Sequence, residues 1–339
     1  MKINLVCYGV RDVEVEFFNK LNKYDYNLTL VPDMMNDDNV NEANNADAVM
    51  IRGNCKATRQ NIEKLAGFGV KYLLTRTVGF NHIDLEAVRD FGLKVARVPA
   101  YSPNAIAELA VTLSMMLLRH TAYTTNRTRE KNFVIDEAMF SKEIRNCTVG
   151  VLGAGRIGLT AAKLFKGLGA RVVAYDVFQS DAAKEVVEFL PMDELLAVSD
   201  IVSVHVPFIK GENHKMINDD FLGKMKQDAI LVNTSRGELQ DDEAILRAIE
   251  ENRIGGFGTD VFEGESSFFF KNLNGQAIPN KTIDKLVSHF PRVIITPHVG
   301  SYTDEALTNM VEISYDNLHE FLTEGKAKGE LDTKVLVHA

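Results

Sequence analysis

Cysteine is scarce in this chain. Cys7, Cys55 and Cys147 are its only three, far apart, with no C-x-x-C pair and no Cys/His cluster at zinc-ligand spacing. A disulfide framework and a metal site are therefore not expected, and three reduced, mostly buried thiols in a cytoplasmic protein are. Positive charge is also short. Lys and Arg number 38 against 47 Asp and Glu, a formal net charge of -9. Nucleic acid and anionic membranes both require a basic face, so neither is an expected partner. Long apolar runs are missing as well. The least polar stretch, 105–118, is interrupted by Glu108, Thr112 and Ser114 and falls short of the ~20 residues that span a bilayer. The opening MKINLVCYGV is too short an apolar run for a signal peptide. It leads straight into the charged RDVEVE and reads as a first strand. No repeat or low-complexity linker is present.

What the chain does have is alternation. Its 339 residues suggest about two domains with ample core. In the first hundred residues, INLVCYG, YNLTLV, ADAVMIR, VKYLLTR and LKVARVP have strand length and composition, with helical patterns such as EFFNKLNKY and IEKLAGFG between them. Strands that are apolar on both sides, separated by helices, imply a parallel sheet covered on both faces. YSPNAIAELAVTLSMMLLRHTAYTTNRT then reads as one long helix over 102–128, with Pro103 at its first position and a stripe through Ile106, Leu109, Leu113, Met116 and Leu117. A second α/β unit follows, with strands TVGVLG, RVVAYD, IVSVHVP, AILVNTS, GGFGTD and RVIITPH. A helical tail over about 302–323 is placed to return to the first unit.

The most specific signal is TVGVLGAGRIG, 148–158. An apolar strand runs into G-x-G-x-x-G, a helix continues from it, and a second strand ends on Asp176. Gly153 permits the tight turn, Gly155 lets backbone approach a pyrophosphate, and Gly158 lets helix and strand pack closely. The helix N-terminus offers free N–H groups and partial positive charge to phosphates. A carboxylate at Asp176 binds ribose hydroxyls and repels a 2′-phosphate, which favours NAD over NADP. The bland alternative is a glycine-rich loop that serves only packing.

Three polar groups follow strands of the second unit, at the sheet edge where open parallel sheets bind ligands. They are Arg236 in NTSRG, Glu265 in GTDVFEGE and His298 in IITPHVG. The set suits carbonyl reduction. An arginine clamps a carboxylate bidentately, a histidine donates a proton to the carbonyl oxygen, and a carboxylate holds the histidine and favours its charged form. Taken singly, each has an ordinary reading. Arg236 alone is a surface ion-pair partner, and spacing does not separate Glu265 from Glu263 and Asp260. His205 sits inside a strand and reads as a satisfied core residue or as one that supports a neighbouring site residue. His82, His120, His214, His289, His319 and His338 lack supporting context.

The spaced set GAGRIG, HVP, NTSRG, GTDVFEGE and TPH resembles the D-2-hydroxyacid dehydrogenases, and the likeness spans essentially the whole chain. It implies a flavodoxin-like substrate domain over 1–101 plus 299–339 and a Rossmann NAD domain over 102–298, both doubly wound parallel sheets. It also implies a homodimer and Arg236, Glu265 and His298 as the catalytic residues. As NAD contacts it implies Gly153, Gly155, Arg156, Ile157 and Gly158 at the phosphates and Asp176 at the ribose. Val206, Pro207 and Asn213 fall on the adenosine side, with Thr234 and Asp260 towards the nicotinamide. In TRTVGFNHID, the N–H groups of Val78 and Gly79 correspond to the turn that binds the substrate C1 carboxylate, and Tyr101 closes over it.

The long segment between Glu265 and His298 is similar to the D-lactate dehydrogenase branch. Within that branch, VMIRGNC, YSPNAIAELAVT, MFSKEIRNCTVGV and PHVGSYTDEA most resemble the (R)-2-hydroxyglutarate dehydrogenases of glutamate-fermenting anaerobes. Arg52 ends the strand ADAVMIR, where a second cation suits the distal carboxylate of a dicarboxylic 2-oxoacid. Ser301 replaces an aromatic residue common in lactate-type members and leaves room for a longer substrate. The alternatives are a lactate or 2-hydroxyisocaproate enzyme, with Arg52 paired to an acid such as Asp84, and a non-catalytic NAD-sensing protein.

Overall fold

A computed structural model describes residues 2–333. The chain forms two compact units. One takes the segments up to Ser102 and from Tyr302 onward, and the other is Pro103–Ser301. Val299, Gly300 and Ser301 thus group with the second unit, although the sequence places the change at 299. The carboxylate of Asp260 accepts from the N–H groups of Val299 at 2.9 Å and Gly300 at 2.8 Å and draws this turn in.

The first unit has five parallel strands, β1 (Asn4–Tyr8), β2 (Asn27–Val31), β3 (Ala48–Ile51), β4 (Tyr72–Thr75) and β5 (Lys94–Arg97), in the order β2-β1-β3-β4-β5. This is the flavodoxin-like order, and its direction reverses between β1 and β3. Side chains alternate between two cores as the pleat requires. Leu5 and Cys7 join one cluster, and Val6 and Tyr8 the other. The tail helix Asp304–Glu324 lays Val311, Tyr315 and Leu318 into the first of these, and each such burial is worth roughly 1.5–3 kcal/mol.

The second unit has seven parallel strands: β6 (Thr148–Leu152), β7 (Arg171–Tyr175), β8 (Glu188–Phe189), β9 (Ile201–Val204), β10 (Ile230–Asn233), β11 (Gly256–Thr259) and β12 (Val293–Ile295). Their order is β12-β11-β10-β9-β6-β7-β8, the doubly wound Rossmann arrangement extended by one strand. All eleven expected strands are present. The two-residue β8 is additional.

The expected long helix over 102–128 is instead two. Pro103–Leu118 and Thr121–Arg129 are separated at His120, whose φ is 49°. The first helix packs on β11, where Leu117 and Leu113 lie against Gly256 and Gly258, and a β-carbon on either glycine would crowd them at 3.1–3.2 Å. All three cysteines are free and buried, and burial pushes the Cys7 thiol up to about 12. Among the described residues no helix is long and apolar enough to cross a membrane, and no metal-binding group of side chains occurs.

Candidate active site

In the second unit the glycine turn sits where β6 gives way to the helix Arg156–Gly167, at the switch point between β6 and β9. Gly153 has φ 91°, and a β-carbon there would meet the backbone of His205 and Val206 at 2.8–2.9 Å. At Gly158 a β-carbon would stand 1.8 Å from the Gly153 carbonyl oxygen, so that residue must be glycine for the helix to leave the strand. Gly155 is different. It caps the helix without a side-chain bond, and the space around its missing β-carbon is open for 4 Å. Uncapped N–H groups beside open space fit a pyrophosphate. Arg156, exposed, and Ile157, half-buried, open the helix.

Asp176 follows β7 with its carboxylate fixed by two backbone donors, Ala154 N–H at 2.6 Å and Phe178 N–H at 2.9 Å. The carboxylate is thereby tied to the glycine turn itself. Val206 and Pro207 follow β9. Asn213 closes that loop by donating to the Pro207 carbonyl and accepting from Ile209 N–H, both at 2.8 Å. Thr234, after β10, keeps a buried Oγ1 with no hydrogen-bond partner among the described residues, an orphan that a bound amide or hydroxyl can satisfy.

Glu265 and His298 meet. The carboxylate Oε1 contacts the ring Nδ1, and Oε2 accepts from Phe262 N–H at 3.0 Å, which fixes the acid from behind. His298 holds φ 52°, an uncommon conformation for a side chain of its kind. Its N–H is shared between the carbonyls of Asp260 and Thr296, both at 3.0 Å. Glu263 pairs instead with His214 at 3.1 Å on the surface, and the structure thereby separates the three acids that spacing left open. Asp260, 1% exposed, accepts from Thr296 Oγ1 at 2.6 Å as well as from Val299 and Gly300. Burial raises its carboxyl above the usual range against these donors. It therefore builds the turn that carries His298, a role the sequence did not suggest.

Arg236 lies half-buried in the turn after β10, and among the described residues its only side-chain bond goes to the Ser235 carbonyl at 2.7 Å. No acid among the described residues neutralises it. The turn packs tightly against the Glu265 loop, because a β-carbon on Gly237 would sit 2.0 Å from the Phe262 carbonyl carbon.

In the first unit, Gly9, Arg52 and Arg76 follow β1, β3 and β4 at the C-terminal edge. Arg76 is buried and donates to Glu14 at 2.8 Å and to the Gly9 carbonyl at 2.6 Å. Arg11 reaches Glu14 at 3.3 Å and stacks over Tyr302 with 4.3 Å to the ring centroid. Burial opposes the charge on Glu14, yet Arg76 holds its carboxyl below the usual range. Arg52 has no hydrogen bond or ion pair from its guanidinium among the described residues. Burial first, then the charges of Arg76 and Arg11, push it down to about 10. Asp84 does not pair with it, since it caps the helix Leu85–Asp90 through Ala87 N–H at 2.8 Å. The N–H groups of Val78 and Gly79 find no acceptor among the described residues. Their carbonyls take Arg97 at 2.9 Å and Thr77 at 2.7 Å. The Tyr101 carbonyl accepts from Asn309 at 2.5 Å.

Of the remaining histidines, His82 and His205 are half-buried, and loss of water around the ring lowers both to about 4. His205 stands just after β9 rather than inside it, and its Nδ1 is shut away with no partner among the described residues, so it is not the fully satisfied core residue expected. His338 lies outside the described residues. Asn233 and Gln240, 0% and 1% exposed beneath the Arg236 turn, went unnoticed in the sequence. Their only signal there is an amide at each end of NTSRGELQ.

Residues 111–300 match the model of the D-isomer specific 2-hydroxyacid dehydrogenase NAD-binding domain. An aromatic 2-oxoacid reductase of Clostridium sporogenes is 38% identical over 330 residues, 97% of this chain and 99% of that one. A D-lactate dehydrogenase of Lactiplantibacillus plantarum is 38% identical over 336 residues, 98% and 99% of the two chains. The solved structure of D-lactate dehydrogenase with NAD+ from Lactobacillus jensenii superposes with a TM-score of 0.84 at 33% identity, covering 97% of this chain and 100% of its own. The chain belongs to the D-isomer-specific 2-hydroxyacid dehydrogenase family and is an NAD-dependent oxidoreductase.

Proposed function

We propose that the enzyme reduces 2-oxoglutarate to (R)-2-hydroxyglutarate with NADH, using Arg236, Glu265 and His298. NADH, when bound, supplies the hydride that adds to C2. Arg236 binds the C1 carboxylate together with the N–H groups of Val78 and Gly79, and Tyr101 covers it. His298 gives its Nε2 proton to the oxygen as the carbonyl bond opens, and Glu265 stabilises the imidazolium before that transfer. The cofactor rests on the Gly153–Gly158 turn, with Asp176 at the ribose. Val206, Pro207 and Asn213 lie along the adenosine, and Thr234 and Asp260 along the nicotinamide.

The observation that carries the choice of substrate is Arg52. A half-buried guanidinium crowded by Arg76 and Arg11, offset chiefly by the charge of Glu14, which Arg76 and Arg11 already engage, is costly unless a ligand completes it. The distal carboxylate of a five-carbon diacid is such an anion, and charge-assisted pairing makes it selective. The relatives named for aromatic 2-oxoacids and D-lactate favour a second reading, a monocarboxylic substrate, under which Arg52 only packs. Steady-state NADH oxidation with 2-oxoglutarate, pyruvate, 2-oxoisocaproate and phenylpyruvate separates them. The first reading requires the highest kcat/KM with 2-oxoglutarate.

The reading includes a homodimer in the cytoplasm. Phe133, Val134, Ile135 and Phe140 are 66–88% exposed in one short stretch, a concentration of apolar surface that a partner copy would bury. Light scattering on the eluted protein tests it: a mass near one chain at micromolar concentration contradicts a dimer.

A further inference from the structure

We propose that Gln240 is a positioning residue that keeps Arg236 in its carboxylate-binding place, acting through Asn233. The inference rests on the reading of Arg236 as the carboxylate clamp. Every polar atom of the Asn233 side chain serves the turn that carries Arg236. Its Nδ2 donates to the Arg236 carbonyl at 3.0 Å, and its Oδ1 accepts from Ser235 N–H at 3.0 Å and Ser235 Oγ at 2.7 Å. The second Nδ2 proton goes to Gln240 Oε1 at 2.8 Å. Gln240 in turn donates from Nε2 to Asp242 at 2.8 Å and to the Val261 carbonyl at 3.2 Å. Val261 directly precedes Phe262, whose N–H holds Glu265.

One amide thus links the end of β10, the start of the helix Asp242–Glu250 and the loop after β11, where the proton-transfer pair begins. A residue 1% exposed carries an amide at a desolvation cost that only its bonds offset. The amide group alone offers an acceptor and two donors at this reach, which is the set used here. Without it, Asn233 keeps its bonds to the turn but carries a buried unpaired donor, and the turn loses its tie to Asp242 and Val261. The backbone from which the Arg236 side chain springs then loses its fixed aim, and a bidentate clamp tolerates little misplacement.

The test is a double-mutant cycle of Gln240→Met with Arg236→Lys, read with pyruvate and with 2-oxoglutarate, because both carry the C1 carboxylate. In the otherwise unaltered enzyme, Gln240→Met should raise KM for both oxoacids about tenfold, keep kcat within threefold, and leave the NADH dissociation constant within twofold. In the Arg236→Lys background the same substitution should raise KM less than twofold. A purely structural role predicts equal factors in both backgrounds, or a parallel loss of NADH binding, and either result overturns the proposal. An unchanged KM in Arg236→Lys alone overturns it differently, by removing the carboxylate role of Arg236 itself. If Gln240→Met fails to melt cooperatively, Gln240→Thr takes its place in the same cycle. Its hydroxyl keeps a polar group in the site but is too short to serve Asn233 Nδ2, and the same two outcomes decide.

Discussion

Glu265 meets His298 at Nδ1 with the acid inside and the base outside: the carboxylate side chain is 14% exposed and the imidazole 40%. The arrangement spends one ring nitrogen on orientation and leaves Nε2 without a partner among the described residues. His298→Gln should therefore lower kcat by at least ~10²-fold, the scale of lost general acid catalysis, while NADH binding stays nearly intact. Near-normal turnover at saturating 2-oxoacid contradicts the assignment.

Replacing the inner partner has a different signature. Reduction uses the proton that His298 presents at Nε2, and Glu265 fixes the ring from Nδ1. Glu265→Gln keeps a hydrogen-bonding group but removes the charge that stabilises the imidazolium. It should lower kcat for reduction by about tenfold, less than His298→Gln, with NADH binding nearly intact. An unchanged kcat shows that Glu265 does not act on His298.

Asp176 is anchored to Ala154 and Phe178 and cannot easily turn away from a 2′-phosphate. Asp176→Ala should weaken NADH about tenfold, the cost of a charge-assisted bond of about 1.5 kcal/mol, and should relax the rejection of NADPH. Efficient use of NADPH by the unaltered enzyme contradicts the role.

A histidine ring shut away from water sets an acid limit on stability. His205 is lowered to about 4 by burial, whereas an unfolded histidine titrates near 6.5. The unfolded state binds the proton first, so stability is full above pH ~6.5, falls towards pH ~4 and then levels. The shift is worth at most about 3 kcal/mol. His205→Gln, which can still reach Ser203, should melt with a smaller loss between pH 7 and pH 4.5 than the unaltered chain. Equal losses in the two proteins place the acid sensitivity elsewhere.

The strands of both sheets were legible because their apolar runs are long enough to show burial on two sides, as in NLVCY of β1 and TVGVL of β6. The two residues of β8 are too few to show any period. The break at His120 was hidden because RHTAYTT contains neither glycine nor proline, and a histidine takes the positive φ. The glycine motif announced its turn through residue identity alone. The Glu265–His298 pair needed three dimensions to exclude Glu263 and Asp260, since the answer lies in which carboxylate reaches Nδ1. Neither the bare guanidinium of Arg52 nor the bonds of Gln240 can be read from sequence, because having or lacking a partner is a property of folded neighbours.

The central claim is that Arg52 makes this enzyme a dicarboxylate reductase. The measurement that tests it most directly is kcat/KM for 2-oxoglutarate, pyruvate and 2-oxoisocaproate in the unaltered enzyme and in Arg52→Ala. A charge-assisted pair worth roughly 1.5–3 kcal/mol predicts about a ten- to hundredfold loss on 2-oxoglutarate, with the two monocarboxylates spared or improved. An equal loss on all three substrates, or an unaltered enzyme that prefers pyruvate or 2-oxoisocaproate from the start, contradicts the claim and leaves Arg52 a packing residue.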